Sequence, residues 1–169
     1  MSRATLAALA VSAALSVAPL AAARADTKVA LTPQPDMTHQ PVNITSETLT
    51  VKNADNKAVF EGKVVVTQGK MTLKAPRVVG HFHSDPATGK RSLTEIDATG
   101  GVFFDDTAEQ ATGRTAHYDV SSGKGTILEE VTLNQAGNES HGDRLDFDTV
   151  SGEGVMKGRT STTFQPNSN

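Results

Sequence analysis

Apolar and polar residues alternate in short runs along this chain, and one such run recurs four times between Leu49 and Phe147. Three copies read Leu49-Thr-Val51-Lys-Asn-Ala-Asp-Asn56, Ala116-His-Tyr118-Asp-Val-Ser-Ser-Gly123 and Leu145-Asp-Phe147-Asp-Thr-Val-Ser-Gly152. A fourth starts at Val78, with Gly80 in the second apolar slot, so the starts are spaced by 29, 38 and 29 residues. Thirteen residues after the regular starts stand Gly62, Glu129 and Gly158, and the nine extra residues of the long step bring Gly100 to the same slot. Val64, Val102, Val131 and Thr160 follow two positions later. Each unit is thus two alternating segments joined by a turn. A period of two is the pattern of a half-buried strand, and self-similarity at this length marks stacked supersecondary units.

The folded part opens at Pro41-Val42-Asn43-Ile44 and runs to Phe164, giving a single domain over 41–164. Residues 26–40 carry Pro33 and Pro35 with little periodicity and read as a flexible leader, and 165–169 as a polar tail. His81 to Thr94 holds the nine-residue expansion and reads as the one long hairpin loop, with Asp85-Pro86 and Thr88-Gly89-Lys90 as turn chemistry. Gly100-Gly101 predicts a bulge or bend. No segment has a helical period, so the expectation is an all-β chain of about a dozen or more short strands.

Composition sharpens this picture in three ways. Arg3, the Ala/Leu/Val-rich run Leu6–Leu20 and Ala23-Arg24-Ala25 have the layout of a secretory signal peptide over residues 1–25, cleaved after Ala25. Its loss removes two arginines from a chain of formal charge −3 and leaves −5, with no basic cluster to suggest nucleic acid as a partner. The chain has no cysteine, no Trp, one Tyr and six Phe. Stacked hairpins bury one face of each strand and form two facing sheets. With Val, Ile, Leu and Ala inside, those sheets either approach closely or leave room for an apolar guest. The stack ends carry no helix or dense charge, which predicts head-to-tail joining through unpaired edge strands.

Pro41-Val42-Asn43-Ile44-Thr45-Ser46-Glu47, Val59-Phe60-Glu61-Gly62-Lys63-Val64-Val65-Val66-Thr67-Gln68-Gly69, and Ala111-Thr112-Gly113-Arg114 through Tyr118-Asp119 resemble the OstA-like family of lipopolysaccharide-transport proteins. The resemblance covers most of the chain after residue 25. It implies an open β-jellyroll that holds lipopolysaccharide acyl chains in an apolar groove in the periplasm. It also implies head-to-tail contact with itself and with inner-membrane-anchored and outer-membrane jellyroll proteins, forming a bridge between the membranes.

By the resemblance, Val42, Ile44, Phe103, Tyr118 and Val120 line that groove. Alternation independently turns Leu49, Val51, Val64, Val66, Val131 and Leu133 inward. The two sources disagree at Phe103, because Val102 and Phe104 share the inward parity unless the Gly100-Gly101 bulge flips it. An inward Val looks the same in sequence whether it touches a neighbour or an acyl chain. A structural or adhesive β-repeat module with a filled core and no lipid therefore stands as the alternative.

Candidate chemistry does not add a catalytic function or a cofactor. His81, His83 and Asp85 could share one face but fall short of a rigid three- or four-ligand metal site. Ser140, His141 and Asp143 have triad residue types but are near neighbours in the chain, which cannot align nucleophile, base and orienter. Asp105-Asp106 and Glu129-Glu130 lack the aromatic platforms of a sugar site, and Ser151-Gly152-Glu153-Gly154 has no following helix to cradle phosphate.

Overall fold

Inward alternation continues through strands much longer than the hairpin pattern implies. The computed structural model describes residues 26–165, so the expected signal peptide (1–25) and residues 166–169 of the tail lie outside the described residues. The strands are β1 (Thr27–Ala30), β2 (Val42–Thr45), β3 (Thr48–Lys52), β4 (Lys57–Gln68), β5 (Met71–Ser84), β6 (Arg91–Asp105), β7 (Glu109–Asp119), β8 (Lys124–Gln135), β9 (Asn138–Asp148), β10 (Glu153–Lys157) and β11 (Ser161–Thr163). Two single 3-10 turns, Met37–His39 and Asn53–Asp55, complete the elements. In place of a dozen short strands, β4 to β9 run 11 to 15 residues each.

The length is absorbed by a bend in the middle of each long strand. β4 pairs with β3 through Lys57–Glu61 and with β2 through Val65–Gln68. The register breaks between these halves, and again at Lys74/Arg77, Thr99/Val102, Thr112/Thr115 and Leu128/Val131. Gly62, Gly100 and Glu129, three of the four residues in the thirteen-residue slot of the repeat, sit at these breaks with positive φ. Pro76, which has no N–H to give a ladder, occupies the break in β5. Extra residues of this kind bend a strand and strengthen its twist. One antiparallel sheet is thereby folded along a line of bulges into two facing halves, one edged by β2 and β11, the other by β3 and β1.

The halves enclose a single apolar layer. Tyr118 and Phe147 of the β3 half meet Phe104 of the β2 half, with the Phe104–Phe147 centroids 5.3 Å apart and Tyr118–Phe147 6.3 Å. Each Val, Leu or Ile taken out of water there contributes about 1.5–3 kcal/mol.

Opposite the line of bulges, the turns of the two halves form two rims, and residues 31–40 lie across them. Leu31 N–H donates to Gly152 O (2.7 Å) and Gln34 N–H to Thr149 O (2.7 Å) on one rim. Thr32 Oγ1 donates to Glu109 Oε1 (2.9 Å) and Gln34 Nε2 to Asp106 Oδ2 (3.2 Å) on the other. The expected flexible leader is therefore corrected. Thr27–Ala30 pairs with β10, and Met37 is 1% exposed within the core. The physical reason is that partners far along the chain supply the order that local periodicity lacks.

The expected long loop after His81 is corrected as well. The nine extra residues lengthen β5 and β6, leaving only Asp85–Lys90 as the turn. Asp85 Oδ1 accepts the Ala87 N–H (2.8 Å), and Asp85 O accepts that of Gly89 (2.8 Å).

Candidate functional site

Cross-strand partners share a face, so the register defines continuous inner rows. In the β2 half one row runs Ile44, Val66, Leu73, Phe104, Ala111 and Leu133. In the β3 half a row runs from Leu49 through Phe60, Val78, Ala98, Ala116, Ile127 and Leu145 to Met156. Beside it lies Val51, Ala58, Gly80, Ile96, Tyr118, Gly125 and Phe147.

Val64, Val66, Val131, Leu133, Tyr118 and Val120 are all buried in this layer, and Val42 and Ile44 pack against it half-buried. Two residues lie shallower than the rest, and one expectation is corrected. Leu49 and Val51 share the inner face but stand 54% exposed, because β3 is an edge strand with no further neighbour to cover them. Phe103 points outward: the doubled glycine bends β6 without changing the parity, so Val102 and Phe104 take the inner positions. Phe103 instead lines a depression of about 640 Å3 on the outer surface with Val65, Pro76 and Lys74, whose ammonium lies 5.6 Å from the ring centroid. Met37, Ile96, Ile127 and Phe147 join the inner layer without having been singled out as lining positions. Alternation carried through the bends finds all of these except Met37, which has no local signal.

The layer is closely packed. The void between Val66, Leu73, Phe104, Ile96, Tyr118 and Phe147 measures about 10 Å3. Tyr118 Oη donates to Gln68 Oε1 (2.9 Å), and Gln68 Nε2 donates to Met37 O (2.9 Å) and Gln40 O (3.3 Å). That network ties both halves to the segment across the rims, and burial pushes the Tyr118 phenol up from its ordinary value. Space opens at the β3 edge, where Leu49, Val51, Ala58, Phe60, Phe82 and Arg91 border about 240 Å3. The opposite edge of this half is covered by β1, which pairs with β10. On the β2 half each residue of β11 is exposed, followed by Phe164 at 74% exposure.

Polar side chains are held by one another on the outside. His81 and His117 both contact Asp97, at 2.7 and 2.8 Å. Among the described residues no group of three or more His, Asp or Glu side chains could hold a metal ion. Ser140 points inward to Thr162 Oγ1 (3.0 Å), whereas His141 points outward to Glu139 (2.8 Å), so they cannot act together. Burial acts to raise the Asp97 pKa, but the hydrogen bonds from His117 and His81 outweigh it and hold the carboxyl below its ordinary value. A depressed carboxylate stabilises the fold above its unfolded pKa and loses that contribution as pH falls through the folded one. Urea midpoints measured from pH 5 down to pH 3 are expected to fall less steeply in Asp97→Asn than in the wild type. Parallel curves would deny the carboxylate this role.

Similarity to known proteins agrees with this geometry. The family described as LptA/(LptD N-terminal domain) LPS transport protein matches residues 43–153. The lipopolysaccharide export system protein LptA of Haemophilus influenzae is 27% identical over 139 residues, covering 78% of this chain and 80% of that protein. An uncharacterised Rhizobium meliloti protein, R00383, is 28% identical over 138 residues, covering 76% and 73%. The crystal structure of LptH, an LptA-homologous periplasmic component from Pseudomonas aeruginosa, superposes with a TM-score of 0.68. At 19% identity it covers 78% of this chain and all of that one, and the likeness extends to the fold.

Proposed function

The chain belongs to the LptA/(LptD N-terminal domain) LPS transport protein family, and we propose that it carries lipopolysaccharide across the periplasm by shielding the acyl chains between its two half-sheets. The observation that supports this best is the unbroken inner row from the exposed Leu49 at one end to Met156 at the other. A row of this kind offers acyl chains apolar contact along its whole length. The same row reaches solvent at the β3 edge, where an incoming chain first meets Leu49 and Val51. Transfer proceeds from an inner-membrane-anchored jellyroll to an outer-membrane one, through head-to-tail contacts made by the edge strands of the sheet. The expected signal peptide over residues 1–25 accords with export to that compartment.

The void of about 10 Å3 also favours the second reading, a periplasmic β-repeat module with a filled core and no lipid. In the carrier reading the halves separate about their line of bulges when acyl chains enter, because crystal-like packing leaves no other room. A photo-reactive residue at Ile44 or Tyr118, irradiated in living cells, separates the two. Lipopolysaccharide adducts at these positions are the expected result. A folded, correctly located protein that yields no adduct at either position would replace the carrier with the module.

A further inference from the structure

We infer that the segment 31–40 is a releasable strap, and that lipid is loaded and passed along the groove only when it lifts from the rims. The inference rests on the carrier reading and adds the route. A lipid whose acyl chains are covalently tied to a polar sugar head cannot draw that head through the apolar layer, since buried polar groups without partners are strongly disfavoured. The head must project sideways through a slit between the half-sheets. One side is closed by the backbones of β4 to β9, which cross the bend as continuous strands. The other has two rims of turns, and the strap runs along them from Gly152 near one end to Gln68 near the other. Any head group travelling along the groove meets the strap.

The strap has the marks of a segment that opens locally. Its ten residues bury one side chain, Met37, and regions with few buried apolar contacts open well below the global unfolding free energy. Pro33 and Pro35 remove two of the N–H donors a ladder to the rims requires. Its anchor on the β2 rim is imperfect: Glu109 is 5% exposed and its Oε2 has no hydrogen-bond partner. Glycine at 152 lets the strap lie close, since a Cβ there would come within 2.6 Å of Leu31 O.

The chain has no cysteine, so Thr32→Cys with Glu109→Cys introduces a single thiol pair at residues whose side chains already meet at the β2 rim. The purified protein is mixed with rough lipopolysaccharide, and loading is followed by co-elution on gel filtration. The oxidised pair is expected to load at least tenfold more slowly than wild type, and reduction is expected to restore the rate. Met37→Ala, which removes the one buried anchor, is expected to load several-fold faster. It decides the matter if the thiol pair misfolds. Equal rates in the oxidised and reduced pair, or an unchanged rate in Met37→Ala, would overturn the strap and leave the carrier standing. Failure of every form to load, wild type included, would overturn both.

Discussion

Val66→Asp is expected to destabilise the domain by about 3–5 kcal/mol in urea denaturation followed by circular dichroism. Val66 is 0% exposed, and its row neighbours Ile44 and Leu73 are apolar. An aspartate there is either ionised without a partner or protonated at the cost of a large pKa shift. Domains of ordinary size have about 5–15 kcal/mol in total, so one such charge threatens the whole. Thr67→Asp supplies the contrast one residue away on the half-buried outer face, where the poor strand propensity of aspartate costs about 1 kcal/mol or less. Equal midpoints for the two variants would mean that the inner face is hydrated.

The second large effect is expected at Gly125. A Cβ built there lies 2.3 Å from Phe147 Cζ, with two more ring atoms at 2.8 Å. The Phe147 ring cannot easily retreat, because Phe104 lies on one side and Tyr118 is stacked on another. Gly125 does not have a left-handed φ, so the penalty of Gly125→Ala is purely one of overpacking, about 1–3 kcal/mol. Phe147→Leu is destabilising alone, yet combined with Gly125→Ala it relieves the clash. Thermal denaturation should show the double variant losing clearly less than the sum of the singles. Strict additivity would mean that the ring already avoids position 125.

The sequence carried much of this architecture, and the gaps have physical reasons. Period-two alternation sets which face a residue takes, and it held for Leu49, Val51, Val66 and Leu133 alike. Depth was not legible, because it depends on whether another strand lies alongside, and β3 has none beyond it. At Phe103 the local parity outweighed the family likeness, since a bulge that bends the strand need not invert it. The doubled glycine marks Gly100 as a bend in the sequence itself, whereas Gly62 and Glu129 recur in the same slot without local chemistry that separates a mid-strand bend from a strand end. Residues 31–40 were opaque because their partners, Asp106 and Glu109, lie more than 70 residues away and their prolines erase local periodicity.

The pairing of Thr27 with Met156 ties β1 to β10, near opposite ends of the described residues. A polypeptide emerging from its amino end therefore waits for residue 156 before the trough can shut, and until then its greasy floor stays uncovered. Non-local pairings of this sort form slowly and leave intermediates prone to aggregation. Until β1 meets β10, the incomplete chain is therefore most adhesive along its apolar layer.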